Sequence, residues 1–79
     1  MRNLDGPQIR AKRMGAGISG VVLCMHAGIG RTRLSDIERG HIVPSFETLD
    51  RLDTALNELI RAKRRLVALA AEEGWPLLL

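Results

Sequence analysis

Apolar positions along the chain fall into short runs at helical spacing, separated by glycines and by Pro44. Asp5-Gly6-Pro7 opens the first run, with proline in the first turn where its missing N–H costs nothing. This first helix is expected to reach about Met14, with Ile9 turned to the core and Arg10 and Lys12 in solvent. Gly15-Ala16-Gly17 ends it, because glycine accepts the left-handed cap conformation. Ser19 is a good N-cap for a second helix that carries Leu23 and Cys24 inward and stops before Gly28. A third helix begins near Gly30, places Leu34 and Ile37 three apart on one face, and stops at Gly40. Ile42-Val43-Pro44 reads as extended, since the residue before proline avoids the helical region. Ser45 caps a fourth helix, with Thr48 where a capping box would place Glu. Phe46, Leu49, Leu52 and Leu56 form its apolar stripe. Asn57 is read as a left-handed stop or a new N-cap, so that a fifth helix spans roughly Glu58 to Glu73 and ends at Gly74. The apolar residues of this fifth helix are Leu59, Ile60, Leu66, Val67, Leu69 and Ala70, and Trp75-Pro76-Leu77-Leu78-Leu79 follows as an apolar tail.

Two short helical patterns flanking Ala27-Gly28-Ile29, with a third after Pro44-Ser45, have the layout of a helix-turn-helix inside a small all-helical domain. The chain has 79 residues, enough for one domain. At this size only about 60% of the unfolded surface is buried, so the core must be efficient or shared with a partner. Residues 1–43 hold seven Lys/Arg against three Asp/Glu, and residues 44–79 hold five against six, so the net charge of +3 is concentrated in the first part. A basic first half suits a phosphate-binding face. Phe46 and Trp75 are the only aromatic residues, which argues against an RNA or single-strand binder built on stacking. Cys24 is the single cysteine: it has no disulfide partner, and His26 and His41 form no ligand cluster with it, so a buried structural thiol is expected and no metal. No run approaches the ~20 apolar residues of a membrane span and no signal peptide is visible, so a cytoplasmic protein is expected. No carboxylate pair, nucleophile–base set or phosphate loop suggests an enzyme, and no cofactor is expected.

From Ile9 to Leu56, without gaps, the chain resembles the Cro/CI-type helix-turn-helix proteins, the XRE family. The markers are Ile9-Arg10, Gly17-Ile18-Ser19, Ala27-Gly28-Ile29, Leu34-Ser35-Asp36-Ile37-Glu38-Arg39-Gly40 and Pro44-Ser45-Phe46-Glu47-Thr48-Leu49. The resemblance implies an all-α, five-helix, lambda-repressor-like fold, with helices 2 and 3 as the helix-turn-helix and an extended C-terminal helix. Residues 1–57 would form the DNA-binding domain, and residues 58–79 a C-terminal helix and tail in the same globular unit. It further implies that Arg31, Thr32, Arg33 and Asp36 face the bases. They are also the positions left outside the core when Leu34 and Ile37 point inward. Arginine suits guanine O6 and N7, and Asp36 can accept from cytosine N4. Phosphate contact alone is the alternative for Arg31 and Arg33, and a surface pair with Arg33 is the alternative for Asp36. Phosphate contacts are implied for Ser19, Gly20, Arg10, Ser35, Arg39 and His41, the first two at a helix N-terminus. Arg13 and Glu38 match positions that form a buried ion pair between the first and third helices, and two exposed charges are the alternative.

The chain departs from the family pattern in two places. Gly20 stands where glutamine is common, removing one phosphate-clamping side chain. Val21, Val22 and Met25 stand at places that are commonly polar, so the second helix would carry an apolar contact surface, with scattered surface residues as the bland reading. The C-terminal helix and the Trp75 tail are natural candidates to cover it. Arg61, Lys63, Arg64 and Arg65 form a basic run, read as a solvated face or a secondary DNA contact. The expected function is a small dimeric repressor that binds a palindromic double-stranded operator and blocks a promoter. Its two-fold interface is expected to include Leu66, Leu69, Trp75 and Leu77, pairing half-sites about 34 Å apart. Two other readings stand beside it: an antitoxin that binds a toxin protein, and a phage or restriction-associated control protein.

Overall fold

The computed structural model of the protein describes residues 4–74. Four helices run through them, α1 (Gly6–Gly15), α2 (Gly20–Ala27), α3 (Arg31–Glu38) and α4 (Phe46–Glu73), with no strand among the described residues. Trp75 and Leu77, assigned above to an interface, lie outside the described residues.

Three of the four helix starts are fixed by a side-chain cap. Asp5 and Gln8 form a full capping box: Asp5 Oδ1 accepts from the Gln8 amide and Gln8 Oε1 from the Asp5 amide, both at 2.9 Å. Ser19 accepts from the Val22 amide and Ser45 from the Thr48 amide, each at 3.2 Å. Gly30 leads into α3 with no side-chain cap.

Ile9 of α1, Leu23 and Cys24 of α2, Leu34 and Ile37 of α3, and Leu52 and Leu56 of α4 meet in one core. Burial pushes the Cys24 thiol up from its ordinary pKa.

α4 is a single helix of 28 residues, about 42 Å long. The break expected at Asn57, and with it the fifth helix, is absent. Asn57 costs a helix at most about 0.7 kcal/mol relative to alanine. Leu56 before it is fully buried and Leu59 and Ile60 after it pack on the core. Burying even one such side chain gains about 1.5–3 kcal/mol, so packing holds the helix straight through. Asn57 also turns its amide toward Asp53 Oδ2, one turn earlier, at a long 3.5 Å.

Three other expectations are corrected. Lys12 is not simply solvated: its Nζ lies 2.8 Å from Asp53 Oδ1, and Asp53 is buried. The long lysine stem lets a residue on the flank of α1 reach into the α1–α4 seam. Phe46 belongs to the stripe by spacing only. It is 72% exposed, because the first turn of α4 extends past the core and Leu49 is the last residue of that stripe to touch it. Lys63 does not belong to a free basic face. Its Nζ donates to the Ala16 and Gly17 carbonyls, at 2.7 and 3.2 Å, and so closes the C-terminal end of α1. Arg61, Arg64 and Arg65 remain exposed.

Gly6 touches α3 directly, and a Cβ there would collide with the Ile37 carbonyl oxygen. Alanine normally stabilises a helix over glycine by about 0.5–1 kcal/mol. At Gly6 the sign reverses: Gly6→Ala is expected to destabilise by about 1–3 kcal/mol or more, as overpacking does. Gly15→Ala meets nothing within 4 Å and is expected to be neutral or stabilising. Thermal unfolding of the two variants, followed by circular dichroism, checks the contrast.

Candidate nucleic-acid interface

α2 ends at Gly28, whose backbone is left-handed (φ 68°, ψ 40°), a conformation that glycine adopts without strain. The Ile29 amide donates to the Cys24 carbonyl at 3.1 Å and closes the turn. α3 then starts at Arg31 after only three residues, the last of them its N-cap Gly30. A connection this short leaves α3 little freedom relative to α2.

The inner face of α3 is Leu34, Ile37 and Glu38, all buried. Glu38 is a charge in the interior, and Arg13 of α1 meets it at two points: Nε to Oε2 at 2.8 Å and Nη2 to Oε1 at 2.9 Å. The third edge of the guanidinium donates from Nη1 to the Ile18 carbonyl at 2.9 Å. One side chain therefore ties α1, the loop before α2, and α3. The hydrogen bond to Glu38 holds Arg13 above its ordinary pKa and outweighs the burial that lowers it.

The outer face of α3 begins with Arg31, Thr32 and Arg33, all exposed in the first turn. No ion pair among the described residues involves Arg31 or Arg33. Asp36 is half-buried one turn further on, and its neighbour is His41, with Oδ1 3.7 Å from Nδ1, instead of Arg33. The His41 amide also donates to the Asp36 carbonyl at 2.9 Å, so the loop after α3 folds back against the helix.

A surface groove of about 220 Å³ between α2 and α3 brings Gly20, Arg31 and Ser35 together, with Val21, Cys24 and Leu34. At its α2 end Ser19 holds the Val22 amide with its hydroxyl and the Leu23 amide with its carbonyl. The Gly20 and Val21 amides remain at the helix N-terminus without an intrahelical acceptor. Aligned helix dipoles make such an end attractive to an anion. Arg39 and His41 are exposed in the loop after α3. Arg10 is exposed on α1 and does not line the groove.

Sequence reasoning missed Lys63, whose two hydrogen bonds steady the Ala16-Gly17 corner immediately before Ile18 and Ser19. The available signal was the set of unsatisfied carbonyls at a glycine-rich helix end, which calls for a cation but does not say which one. The exposed apolar face on α2 is present: Val21, Val22 and Met25 are 42, 44 and 78% exposed. No group of three or more His, Cys, Asp or Glu among the described residues could hold a metal ion. No helix among them is long and apolar enough to cross a membrane.

A short, glycine-cornered turn between two packed helices, the second with a locked inner face and a basic outer face, defines the motif. The family model described as helix-turn-helix domain matches residues 6–70. The chain belongs to the helix-turn-helix domain family. No curated protein and no solved structure matches it. The match runs past Leu56 to Ala70 and takes in most of α4. Family membership points to a DNA-binding regulator.

Arg13 and Glu38 have side chains only 14 and 7% exposed. Removing one partner leaves the other charge buried and alone, so Glu38→Ala is expected to cost about 3–5 kcal/mol. Glu38→Gln, which keeps an acceptor, should cost less. Chemical denaturation of both variants is the measurement, and a loss below about 0.5 kcal/mol for Glu38→Ala, the range of ordinary surface changes, contradicts the assignment.

Proposed function

We propose that this protein is a sequence-specific double-stranded DNA-binding regulator, acting as a small dimeric repressor that occludes a promoter. The observation that supports it best is the first turn of α3. Arg31, Thr32 and Arg33 project from a helix whose opposite face is fixed by Leu34, Ile37 and the Arg13–Glu38 pair. In this reading Arg31 and Arg33 donate to guanine O6 and N7, and Thr32 and Asp36 complete the base-facing set. Ser19, Gly20 and Ser35 hold one stretch of phosphate beside α2, and Arg39 and His41 another after α3, with Arg10 adding charge from α1. These contacts set the register, and the α3 side chains read the sequence.

Two copies pair so that two α3 helices meet successive major grooves about 34 Å apart. Leu66 and Leu69, 40 and 42% exposed on α4, supply apolar surface for that pairing. The protein acts by binding and needs no catalytic group. A second reading, an antitoxin that holds a toxin protein as well as DNA, is favoured by one observation: the apolar face of Val21, Val22 and Met25 on α2. A partner pulled down through that face, and lost on Met25→Glu, would support it.

Selecting bound sequences from a random duplex pool tests the main reading. A two-fold symmetric site with guanines in each half is expected. Arg31→Ala or Arg33→Ala should then cost about 1–3 kcal/mol on that site and relax the preference at one base pair. Equal losses on random duplex would reduce these residues to phosphate contacts.

Gly20 offers a gain-of-function check. A Cβ there would lie 3.8 Å from Arg13 Cζ and 4.0 Å from Leu34 Cδ2, ordinary contact distances, so a side chain fits. Gly20→Gln adds a donor beside the α2 N-terminus. Binding to specific and random duplex should tighten by similar factors, on the order of tenfold for a hydrogen bond to a charged acceptor. Parallel titrations of the two duplexes by fluorescence anisotropy decide it.

A further inference from the structure

We infer that Lys63 is a positioning residue for duplex binding: from α4 it supports the N-terminus of α2 without touching DNA itself. The inference rests on the DNA-binding reading above and names a residue on which that site depends. Residues Ala16 to Ser19 join α1 to α2. Every carbonyl of this loop has a partner. The Ser19 carbonyl accepts from the Leu23 amide at 3.2 Å, and the Ile18 carbonyl from Arg13 Nη1 at 2.9 Å. The Ala16 and Gly17 carbonyls accept from Lys63 Nζ. The Gly17 and Ile18 amides donate back to the Met14 and Arg13 carbonyls, each at 3.0 Å. The α1 backbone thus holds the loop by its amides, while Arg13 and Lys63 hold it by its carbonyls. A backbone held from both sides has little room to turn the Gly20 and Val21 amides that follow. Their direction matters, because a hydrogen bond weakens steeply as its angle falls.

Lys63 stands between two open grooves. One of about 620 Å³ borders Gly17, Ile18 and Ser19, and one of about 420 Å³ borders Gly15 and Ala16. With open space on each side, loss of the ammonium leaves both carbonyls to water, which satisfies them without tying them to α4. The fit is close at Gly17. Its backbone is left-handed (φ 68°), and a Cβ there would lie 2.5 Å from Lys63 Nζ, so glycine serves both the turn and the approach of the ammonium. An ammonium has three donors, and Lys63 spends two of them on the loop. Arg61, Arg64 and Arg65 beside it carry the same charge and are exposed. What sets Lys63 apart is its attachment to the loop, so its contribution is direction given to the α2 amides.

Lys63→Met keeps the apolar stem and removes the ammonium, whereas Lys63→Arg keeps a cationic donor. Circular dichroism sets a temperature at which each variant is fully folded, so that lost stability alone moves no reading. In the protein without DNA, Lys63→Met should speed amide hydrogen exchange at Gly17 and Ile18, followed by NMR, and leave the α3 amides unchanged. On a duplex selected from a random pool its affinity should fall by about 2- to 30-fold, the range for changes that touch neither ligand. Lys63→Arg should restore most of the loss, and Lys63→Gln should weaken binding in the same direction as Lys63→Met. The slope of log affinity against log salt should stay at the parent's value, whereas removal of a direct phosphate contact lowers its magnitude by about 0.9. Arg61→Met removes the same charge from the same helix and should bind like the parent. Parent-like binding by Lys63→Met overturns the inference. So does a reduced salt slope, an equal loss in Arg61→Met, or unchanged exchange at Gly17 and Ile18. A parent that binds no duplex overturns the DNA-binding reading and this inference with it, an outcome told apart from the others by the parent alone.

Discussion

The orientation of α3 depends on a charge placed inside the protein. Glu38 is on the inner face of that helix, beside Leu34 and Ile37, where an unpaired carboxylate would be expelled. Arg13 makes it tolerable by meeting both oxygens and spending its remaining edge on the Ile18 carbonyl. Attraction and desolvation nearly cancel in such pairs, so little net stability follows from the bond itself. Specificity of arrangement does follow. A rotation or slide of α3 that would be nearly free against a purely apolar surface here separates a buried pair. The helix is held in one angular position, and Arg31, Thr32 and Arg33 are turned outward.

The same node connects the two parts of the candidate interface. Ile18 immediately precedes Ser19, the cap of α2, so the guanidinium that orients α3 also restrains the N-terminus of α2. Lys63 grips the adjoining Ala16 and Gly17 carbonyls from α4. Two cations from opposite sides thus hold the corner from which the Gly20 and Val21 amides are presented. Binding geometries of this kind gain from rigid support, because a misplaced donor loses most of a hydrogen bond within a fraction of an ångström.

α4 serves as the spine. Its first half closes the core through Leu52 and Leu56 and receives Lys12 on the buried Asp53. Its second half extends past the shorter helices with an apolar stripe that the core does not use. The apolar side chains exposed on α2 lie close to it, Val22 and Leu66 bordering the same groove. A domain of this size has too little interior to bury all its apolar residues: Val22, Met25, Leu66 and Leu69 are left exposed on α2 and α4, and Val43 and Phe46 around the start of α4.

Local signals in the sequence were enough for the helix starts, the glycine corner and the inner and outer faces of α3. Caps at Asp5, Ser19 and Ser45, left-handed Gly28, and the three-residue spacing of Leu34 and Ile37 act within a few residues, so their effect is written where they stand. The placement of Arg13 against Glu38 came from the family resemblance, since no local pattern joins residues 25 apart. Tertiary structure alone decided the rest. Asn57 stays helical because Leu56, Leu59 and Ile60 are packed on both sides of it, and burial outweighs propensity. Lys12 and Lys63 leave solvent because Asp53 and the Ala16 and Gly17 carbonyls lie within reach of their long stems. Gly6 is required because the Ile37 carbonyl comes close to it. Phe46 keeps its helical spacing and loses its place in the core, since periodicity records which face a residue is on but not whether anything lies opposite.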